Sequence, residues 1–167
     1  AVLKGGSSAE REISLKSGAA VAAALRSAGF DVVEIDTQVN AVSSIVQAKP
    51  DFCFIALHGG DGENGSIQAL LELLGIPYSG SGVLGSALAL DKVRSKQVWQ
   101  AQGLLTPAYR VVSSTGTEDV SEMLNALGGT VFVKPASEGS SFGMAVADTE
   151  AKLRTAIVNA QQYQPDV

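Results

Sequence analysis

The sequence contains little of what several common protein sites require. Its 167 residues include one cysteine, one histidine and one tryptophan, and aromatic residues make up 5% of the chain. The lone thiol, Cys53, cannot form an internal disulfide, and its apolar run, Phe52 to Leu57, predicts a buried strand in a reducing compartment. The sequence has no Cys/His cluster with zinc spacing, no Walker lysine motif and no serine nucleophile elbow.

Positive charge and long apolar runs are also scarce. Charged residues make up 17% of the chain and the formal net charge is -5, which argues against a nucleic-acid or anionic-membrane surface. No run approaches the roughly 18 apolar residues of a membrane span, and no signal peptide is visible. We therefore expect a cytoplasmic protein. The chain starts without Met and stops at Val167, soon after a helical pattern ends, so we expect it to be part of a longer protein.

What is present predicts two domains, residues 1–90 and 91–167. In the first, apolar runs at residues 1–3, 32–35 and 52–57 alternate with helical patterns, which predicts a Rossmann-like parallel sheet. One helix is predicted from an N-cap at Ser14 to Gly29, burying Leu15, Ala19, Ala22 and Leu25. A second is predicted around Ile67 to Leu74 and ends at Gly75. Ligands of such sheets lie at the carboxyl ends of the strands.

The second domain has a different pattern, and we predict a small α+β unit. Its predicted elements are a helix over 91–102, a strand over 109–112, a helix over 117–127, strands over 130–134 and 142–147, and a last helix capped by Thr149. Between the last two strands, Lys134-Pro135 leads into a loop with Gly139, Ser140, Ser141 and Gly143. Such a hairpin can close over phosphates, with backbone N–H groups, hydroxyls and a lysine. The alternative is a surface hairpin with a solvated lysine.

Two glycine-rich turns lie at the predicted ligand edge of the sheet. Gly5 to Ser8 is followed by Glu10, Arg11 and Glu12, where a carboxylate could pair with a substrate ammonium or stabilise the helix dipole. His58 opens the second turn, and it could bind a ligand or be a hydrogen-bonded structural residue. Gly80 to Gly85 matches G-x-G-x-x-G, but it does not follow the first strand and no acid lies about 20 residues further on.

Five segments in order resemble the D-alanine–D-alanine ligases of the ATP-grasp superfamily. They are Gly5-Gly6-Ser7-Ser8-Ala9-Glu10-Arg11-Glu12-Ile13-Ser14-Leu15, Ala56 to Gly65, Tyr78 to Gly82, Asp91-Lys92-Val93-Arg94-Ser95-Lys96 and Val133-Lys134-Pro135 to Gly143. The resemblance implies an α/β fold, with an N-terminal pre-ATP-grasp domain followed by the first α+β subdomain of an ATP-grasp fold. It also implies ATP-dependent joining of two D-alanines through an acyl phosphate, for peptidoglycan precursors.

The resemblance assigns the catalytic part of the site to three positions. It implies that Glu10 binds the ammonium of the first D-alanine, that Ser140 hydrogen-bonds Glu10, and that His58 lies near that substrate's carboxylate. Lys4 and Asn64 depart from residues common in the family, but neither position is assigned chemistry.

The resemblance assigns the phosphates of ATP to Lys92, Lys134 and the backbone of Ser140 and Ser141. It places the Mg²⁺ ligands on a later part of the chain, so we expect residues 1–167 alone to be inactive, and it implies a homodimer. Three alternatives stay open: a ligase that joins D-alanine to D-lactate or another small acid, a non-catalytic nucleotide or amino-acid sensor, and a nicotinamide enzyme that uses Gly80 to Gly85.

Overall fold

The computed structural model describes residues 1–113, 119–139 and 141–167. The chain divides into two compact units, Ala1–Leu88 and Ala89–Val167, each with its own sheet and its own buried core. The predicted α/β class with a parallel N-terminal sheet is confirmed. No helix in the described part of the chain combines the length and hydropathy needed to cross a bilayer.

Unit 1 contains a three-stranded parallel sheet in the order β2-β1-β3. The strands are β1 (Val2–Lys4), β2 (Glu34–Asp36) and β3 (Phe54–Ile55), and the helices are α1 (Arg11–Ser27), α2 (Ala41–Ala48), α3 (Ser66–Leu73) and α4 (Val83–Leu90). The central strand places Val2 opposite both Glu34 and Phe54. The core of unit 1 includes Cys53. This residue is fully buried, as the sequence predicts, and its burial raises the pKa of the thiol.

The start of α1 differs from the sequence-based prediction. The helix begins at Arg11 with Glu10 at the N-cap position, so the prediction of Ser14 as the cap is wrong. Ser14 instead lies inside the first turn and is fully buried, because its hydroxyl bridges two segments of the sheet edge. The buried positions of α1 are Ser14, Gly18 and Ala22; of the predicted set, Ala19 is exposed and Leu15 and Leu25 are partly buried.

Gly18 explains why α1 lies so close to β1. A Cβ added at Gly18 would lie 2.5 Å from the Cβ of Lys4, nearer than side chains can approach. The absence of a side chain therefore lets the helix pack directly over the end of the strand. At its other end α1 closes as predicted, since Gly29 follows the last turn with φ +87°, a left-handed conformation that favours glycine.

Two helices of unit 1 were not predicted. Residues 41–48 (α2) contain two serines and a glutamine around the buried Ile45, and the helix is flanked by Asn40 and Lys49 in left-handed conformations. None of the residues of α4 is buried within the described chain, and its apolar residues show no single buried face. Helix α3 does match its prediction, and it ends before Gly75, which has φ +67°.

The described residues of unit 2 form three helices and a two-stranded antiparallel sheet. Its elements are α5 (Lys92–Ala101), α6 (Val120–Ala126), β4 (Val131–Val133), β5 (Ala145–Ala147) and α7 (Glu150–Gln161). The hairpin pairs Val131 with Ala147 and Val133 with Ala145. The cap at Thr149 is confirmed, and so is burial of the four predicted residues of α7: Leu153, Ala156, Ile157 and Ala160.

Two predictions in unit 2 need correction. Residues 109–112 do not form a strand. Val112 instead exchanges backbone hydrogen bonds of 2.8 and 3.0 Å with Val167. A pairing between residues so far apart in the sequence cannot be predicted from the local pattern. The predicted helix over 117–127 begins later, at Val120, because Asp119 accepts hydrogen bonds from the next turn. Residues 117 and 118 lie outside the described residues.

Candidate functional site

The glycine-rich loop after β1 lines a small cleft at the carboxyl end of the parallel sheet. The cleft encloses about 70 Å³, and its lining includes Gly5, Gly6, Ser8, Thr37, His58 and Gly59. Gly5 and Gly6 both have φ +75°, a backbone conformation that other residues adopt only with strain. Both glycines of this left-handed turn therefore line the cleft.

An ion pair holds this loop in place. Arg11 donates to both carboxylate oxygens of Asp36, at 2.8 and 2.6 Å, and also to the carbonyl of Gly6 at 3.1 Å. The N–H of Gly6 lies 3.4 Å from the same carboxylate. The Arg11 hydrogen bonds hold the pKa of Asp36 well below its usual range. The first turn of α1 and the end of β2 thus fix the glycine loop from both sides.

Three serine hydroxyls join the start of α1 and its loop to the chain that leaves β3. Ser8 Oγ donates to the carbonyl of His58 at 2.6 Å, and Ser14 Oγ donates to the carbonyl of Ala56 at 2.7 Å. Ser14 Oγ also accepts from the N–H of Gly5 at 2.8 Å. Ser17 Oγ lies 3.0 Å from His58 Nε2. These contacts position His58 by both its backbone and its ring.

Glu10 is a buried carboxylic acid at the start of α1, with 7% of its surface exposed. It occupies the N-cap position, yet its side chain makes no capping hydrogen bond to its own helix. Its Oε2 instead lies against Gly59, where an added Cβ would overlap it. Gly59 has φ +64° and therefore both tolerates the turn and leaves room for the carboxylate. The position of Glu10 does not serve helix capping.

In unit 2, three lysines lie near the loop between β4 and β5. Lys92 is partly buried, and burial first and the charge of Lys134 second lower its pKa. The pKa of Lys96 is lowered for the same two reasons. Lys134 is exposed, and its Nζ lies 5.6 Å from the ring centre of Phe132. The ammonium group of Lys134 is therefore close enough to repel those of Lys92 and Lys96.

The loop that follows Lys134 is anchored at its base. The N–H of Ala136 donates to the carbonyl of Asp166 at 3.0 Å, and the N–H of Ser137 donates to the side chain of Gln164 at 2.7 Å. From the start of α5, Lys92 donates its N–H to the carbonyl of Ala136 at 2.8 Å and its Nζ to the carbonyl of Glu138 at 2.6 Å. Lys92 is therefore held by the loop itself.

Further along this loop, Ser141 and Gly143 have left-handed backbones, with φ +65° and +66°. A Cβ added at Gly143 would lie 2.7 Å from the ring of Tyr163 and 2.9 Å from Pro135, so only glycine fits there. Ser140 lies outside the described residues, and its assigned roles stay predictions.

The lysines of unit 2 fit a phosphate group. Among the described residues, none of Lys92, Lys96 and Lys134 forms an ion pair with a carboxylate. A polyanion would relieve their mutual repulsion, and lysine is a common phosphate ligand. For a metal ion, the described residues contain no group of three or more His, Cys, Asp or Glu side chains that could hold one.

The structure thus groups the predicted residues within each unit. His58 and Gly59 line the cleft of unit 1, the Glu10 carboxylate lies against Gly59, and Lys92 and Lys134 lie near the hairpin loop of unit 2. Sequence reasoning missed the positioning roles of Ser8, Ser17 and Asp36. The signal for Ser17 was its spacing of three residues from Ser14, which places both on one side of α1.

Comparison with known proteins bears directly on the resemblance. A sequence model described as the D-ala D-ala ligase N-terminus matches residues 37–81, and one described as the D-ala D-ala ligase C-terminus matches residues 98–167. Together they match more than half of the chain. The chain belongs to the D-alanine–D-alanine ligase family. The resemblance of the five segments is confirmed.

Relatives and solved structures of this family match the whole chain. A D-alanine–D-alanine ligase of Pseudomonas entomophila is 53% identical over 167 residues, which are 100% of this chain and 52% of the relative. One from Idiomarina loihiensis is 48% identical, with 100% and 55% covered. The chain therefore spans about half the length of the curated relatives it matches.

The structural matches agree with the sequence matches. The crystal structure of a Bacillus anthracis D-alanine–D-alanine ligase has a TM-score of 0.87 and 32% identity over 99% of this chain and 54% of that one. A structure of the Bacillus anthracis ligase in complex with ATP has a TM-score of 0.85, with 30% identity over 99% of this chain and 55% of that one. Both place this chain in the fold of the family.

Proposed function

We propose that the chain is the part of an ATP-dependent ligase that binds the first of two D-alanines and the phosphates of ATP. The observation that carries this proposal is Glu10: an acid at a helix N-cap position that does not cap the helix and is buried against Gly59 beside a glycine-lined cleft. Family membership supplies the substrates, because the relatives are named D-alanine–D-alanine ligases.

In the proposed site, Glu10 binds the ammonium of the first D-alanine. A buried carboxylate attracts an ammonium more strongly than an exposed one, since less water screens the two charges. His58 lies one residue before Gly59, and we assign it to the carboxylate of the same substrate. We assign Ser140 to a hydrogen bond with Glu10. The small volume of the cleft, about 70 Å³, suits a small amino acid better than a large one.

The lysines bind the phosphates in this proposal. Lys92 and Lys134 contact the α- and β-phosphates, and the backbone of Ser140 and Ser141 contacts the terminal phosphate. The carboxylate of the first D-alanine attacks that phosphorus, ADP leaves, and an acyl phosphate forms. The amine of the second D-alanine then attacks the acyl carbon, and inorganic phosphate leaves. The chain's own residues position the reactants and balance charge without a covalent intermediate on the protein.

We further propose that Mg²⁺ neutralises the charge of the phosphates in the complete protein, as in other phosphoryl-transfer enzymes. We place its protein ligands beyond residue 167. We propose a cytoplasmic homodimer that makes D-alanyl-D-alanine for peptidoglycan. Since the chain spans about half the length of its relatives, we also propose that residues 1–167 alone do not release phosphate.

The test is product formation by the full-length protein. With ATP, Mg²⁺ and D-alanine, we expect phosphate release together with D-alanyl-D-alanine, detected by mass spectrometry. Replacing half of the D-alanine by D-lactate tests the alternative ligase, since a depsipeptide product would then appear. ATP binding without phosphate release or any other product would instead favour the non-catalytic sensor alternative.

A further inference from the structure

Ser17 Oγ lies within hydrogen-bonding distance of both a main-chain carbonyl and the imidazole of His58, and its single proton can go to only one of them. A serine hydroxyl has one proton to donate, whereas its oxygen can accept from another group. Ser17 Oγ lies 3.3 Å from the carbonyl oxygen of Ser14, which can only accept, and 3.0 Å from His58 Nε2. If the hydroxyl proton goes to the Ser14 carbonyl, Nε2 must carry the proton of the second hydrogen bond.

We propose that Ser17 is a positioning residue that accepts a hydrogen bond from His58 Nε2–H and so reserves Nδ1 for a ligand in the cleft. His58 lines the cleft, and no described residue hydrogen-bonds its Nδ1. The carbonyl of His58 accepts separately from Ser8 Oγ at 2.6 Å, which anchors the backbone of His58. Ser17 Oγ is the described group that hydrogen-bonds the ring itself.

This arrangement gives Nδ1 one role in each protonation state. When the imidazole is protonated, Nδ1–H donates to an anionic ligand while Nε2–H stays on Ser17. When it is neutral, Nδ1 accepts from a donor on the ligand. The identity of the ligand as an amino acid rests on the proposed function, but the contact between Ser17 and His58 does not.

The sequence offers a direct measurement, because His58 is its single histidine. In full-length protein with ¹⁵N-labelled histidine and no histidine tag, the imidazole signals come from His58 and from any histidines outside residues 1–167, and His58→Gln identifies the signals of His58. At about pH 9, where imidazole is ordinarily neutral, we expect long-range ¹H–¹⁵N spectra to show the proton on Nε2 and none on Nδ1. A proton on Nδ1 would overturn the proposal.

Ser17→Ala tests the hydrogen bond itself. We expect the Hε2 proton, protected from exchange in the unaltered protein, to exchange with water too fast to be observed in Ser17→Ala. Ser17→Thr keeps a hydroxyl and should restore the signal. Ser27→Ala is the matched control, because Ser27 lies on the same helix and its hydroxyl donates to the carbonyl of Ala23 at 3.0 Å, away from His58. An unchanged Hε2 signal in Ser17→Ala would contradict the proposal.

Kinetics then separate positioning from general stability. We expect Ser17→Ala to raise KM for the first D-alanine about fivefold, the effect of one hydrogen bond, with kcat and KM for ATP changed less than about twofold. Ser17→Thr should recover KM, and a Thr variant as impaired as Ala would contradict the positioning role. If the unaltered protein makes no dipeptide, the proposed function fails, while the imidazole spectrum, recorded without substrate, still decides the role of Ser17.

Discussion

The glycine loop over residues 5–8 in unit 1 and the hairpin loop that follows Lys134 in unit 2 differ in how the cations around them are paired. In unit 1 the cations near the sheet are ion-paired: Lys4 and Arg26 with Glu34, and Arg11 with Asp36. In unit 2, Lys92, Lys96 and Lys134 form no ion pair with a described carboxylate. The described residues of that unit do contain one ion pair, which joins Lys152 to Asp148 at the end of the hairpin away from its loop. The cations near the first loop are therefore neutralised by carboxylates, whereas the three lysines near the second loop have no ion-pair partner among the described residues.

This difference in ion pairing predicts a different energetic cost of ligand binding at each loop. The loop over residues 5–8 is held by Arg11, Ser8 and Ser14 before any ligand arrives, so binding costs little ordering. Burial first, and the charge of Lys134 second, lower the pKa of Lys92 and Lys96, and a bound polyanion would offset the repulsion from Lys134. We therefore expect ligand binding to the second loop to depend more strongly on salt concentration than ligand binding to the first.

The largest expected effect comes from disturbing the fit between Glu10 and Gly59. In Gly59→Ala the new Cβ would displace the Glu10 carboxylate, and we expect KM for the first D-alanine to rise at least about tenfold. Gly60→Ala is the control: Gly60 also has a positive φ, +47°, but its added Cβ would meet only Ser8, at an ordinary 3.4 Å.

Both glycine variants should lose stability, by about 1–3 kcal/mol, because alanine is strained at positive φ. The comparison therefore depends on KM measured at a temperature where both variants stay folded. A KM increase in Gly60→Ala as large as that in Gly59→Ala would show that backbone strain, rather than displacement of Glu10, causes the effect.

A smaller effect should follow from removing the ion pair under the glycine loop. Asp36→Ala should lower the free energy of unfolding by about 1 kcal/mol, a modest value because the pair is partly exposed. The pKa of folded Asp36 is depressed, so its contribution should be complete above the ordinary pKa of about 3.9 and decline as pH falls further.

Urea unfolding at several pH values measures this contribution. The difference between the unaltered chain and Asp36→Ala should be constant from about pH 7 to 5 and shrink below about pH 4. Asp31→Ala, at an exposed position of the same unit, should change stability by less than about 0.5 kcal/mol. If the difference instead grew in acid, the Arg11–Asp36 pair would not be the cause.

The smallest effect is a pH dependence confined to unit 2. The pKa of Lys92 is lowered by burial and by Lys134, and bound phosphate favours the charged form of Lys92. ATP affinity should therefore fall a few-fold as pH rises from about 8 toward 10 and the free protein loses that proton. Lys92→Arg should flatten this part of the profile, because guanidinium stays charged. An identical slope in both proteins would exclude Lys92 as the titrating group.

The sequence predicted the fold class because both units depend on periodic local patterns. The parallel sheet, α3, the cap at Thr149 and the buried face of α7 follow from apolar spacing and turn residues. The start of α1 was predicted wrongly because Ser14, a good capping residue, has a better use: its hydroxyl satisfies Gly5 and Ala56 at once. Contacts between residues 42 positions apart leave no local signal.

The same limit applies to the candidate site. Glu10 and His58 could be singled out because they adjoin glycine-rich turns, but the sequence alone left capping and ligand binding equally open for Glu10. Its burial and the absence of a capping hydrogen bond argue against capping, and ligand binding by Glu10 stays a prediction. For Ser17, the spacing from Ser14 shows a shared side of α1, but nothing in a helical sequence shows which imidazole nitrogen its hydroxyl will meet.

The central claim is that the site around Glu10 binds the first D-alanine and the site around Lys134 binds ATP. Steady-state kinetics of full-length Glu10→Gln and Lys134→Ala, with each substrate varied in turn, test it most directly; Lys16→Ala, an exposed lysine of α1, is the control. We expect Lys134→Ala to raise KM for ATP about tenfold or more and KM for D-alanine less than about twofold, and Glu10→Gln to do the reverse. Variants that each raised both KM values equally, or raised neither, would contradict the claim.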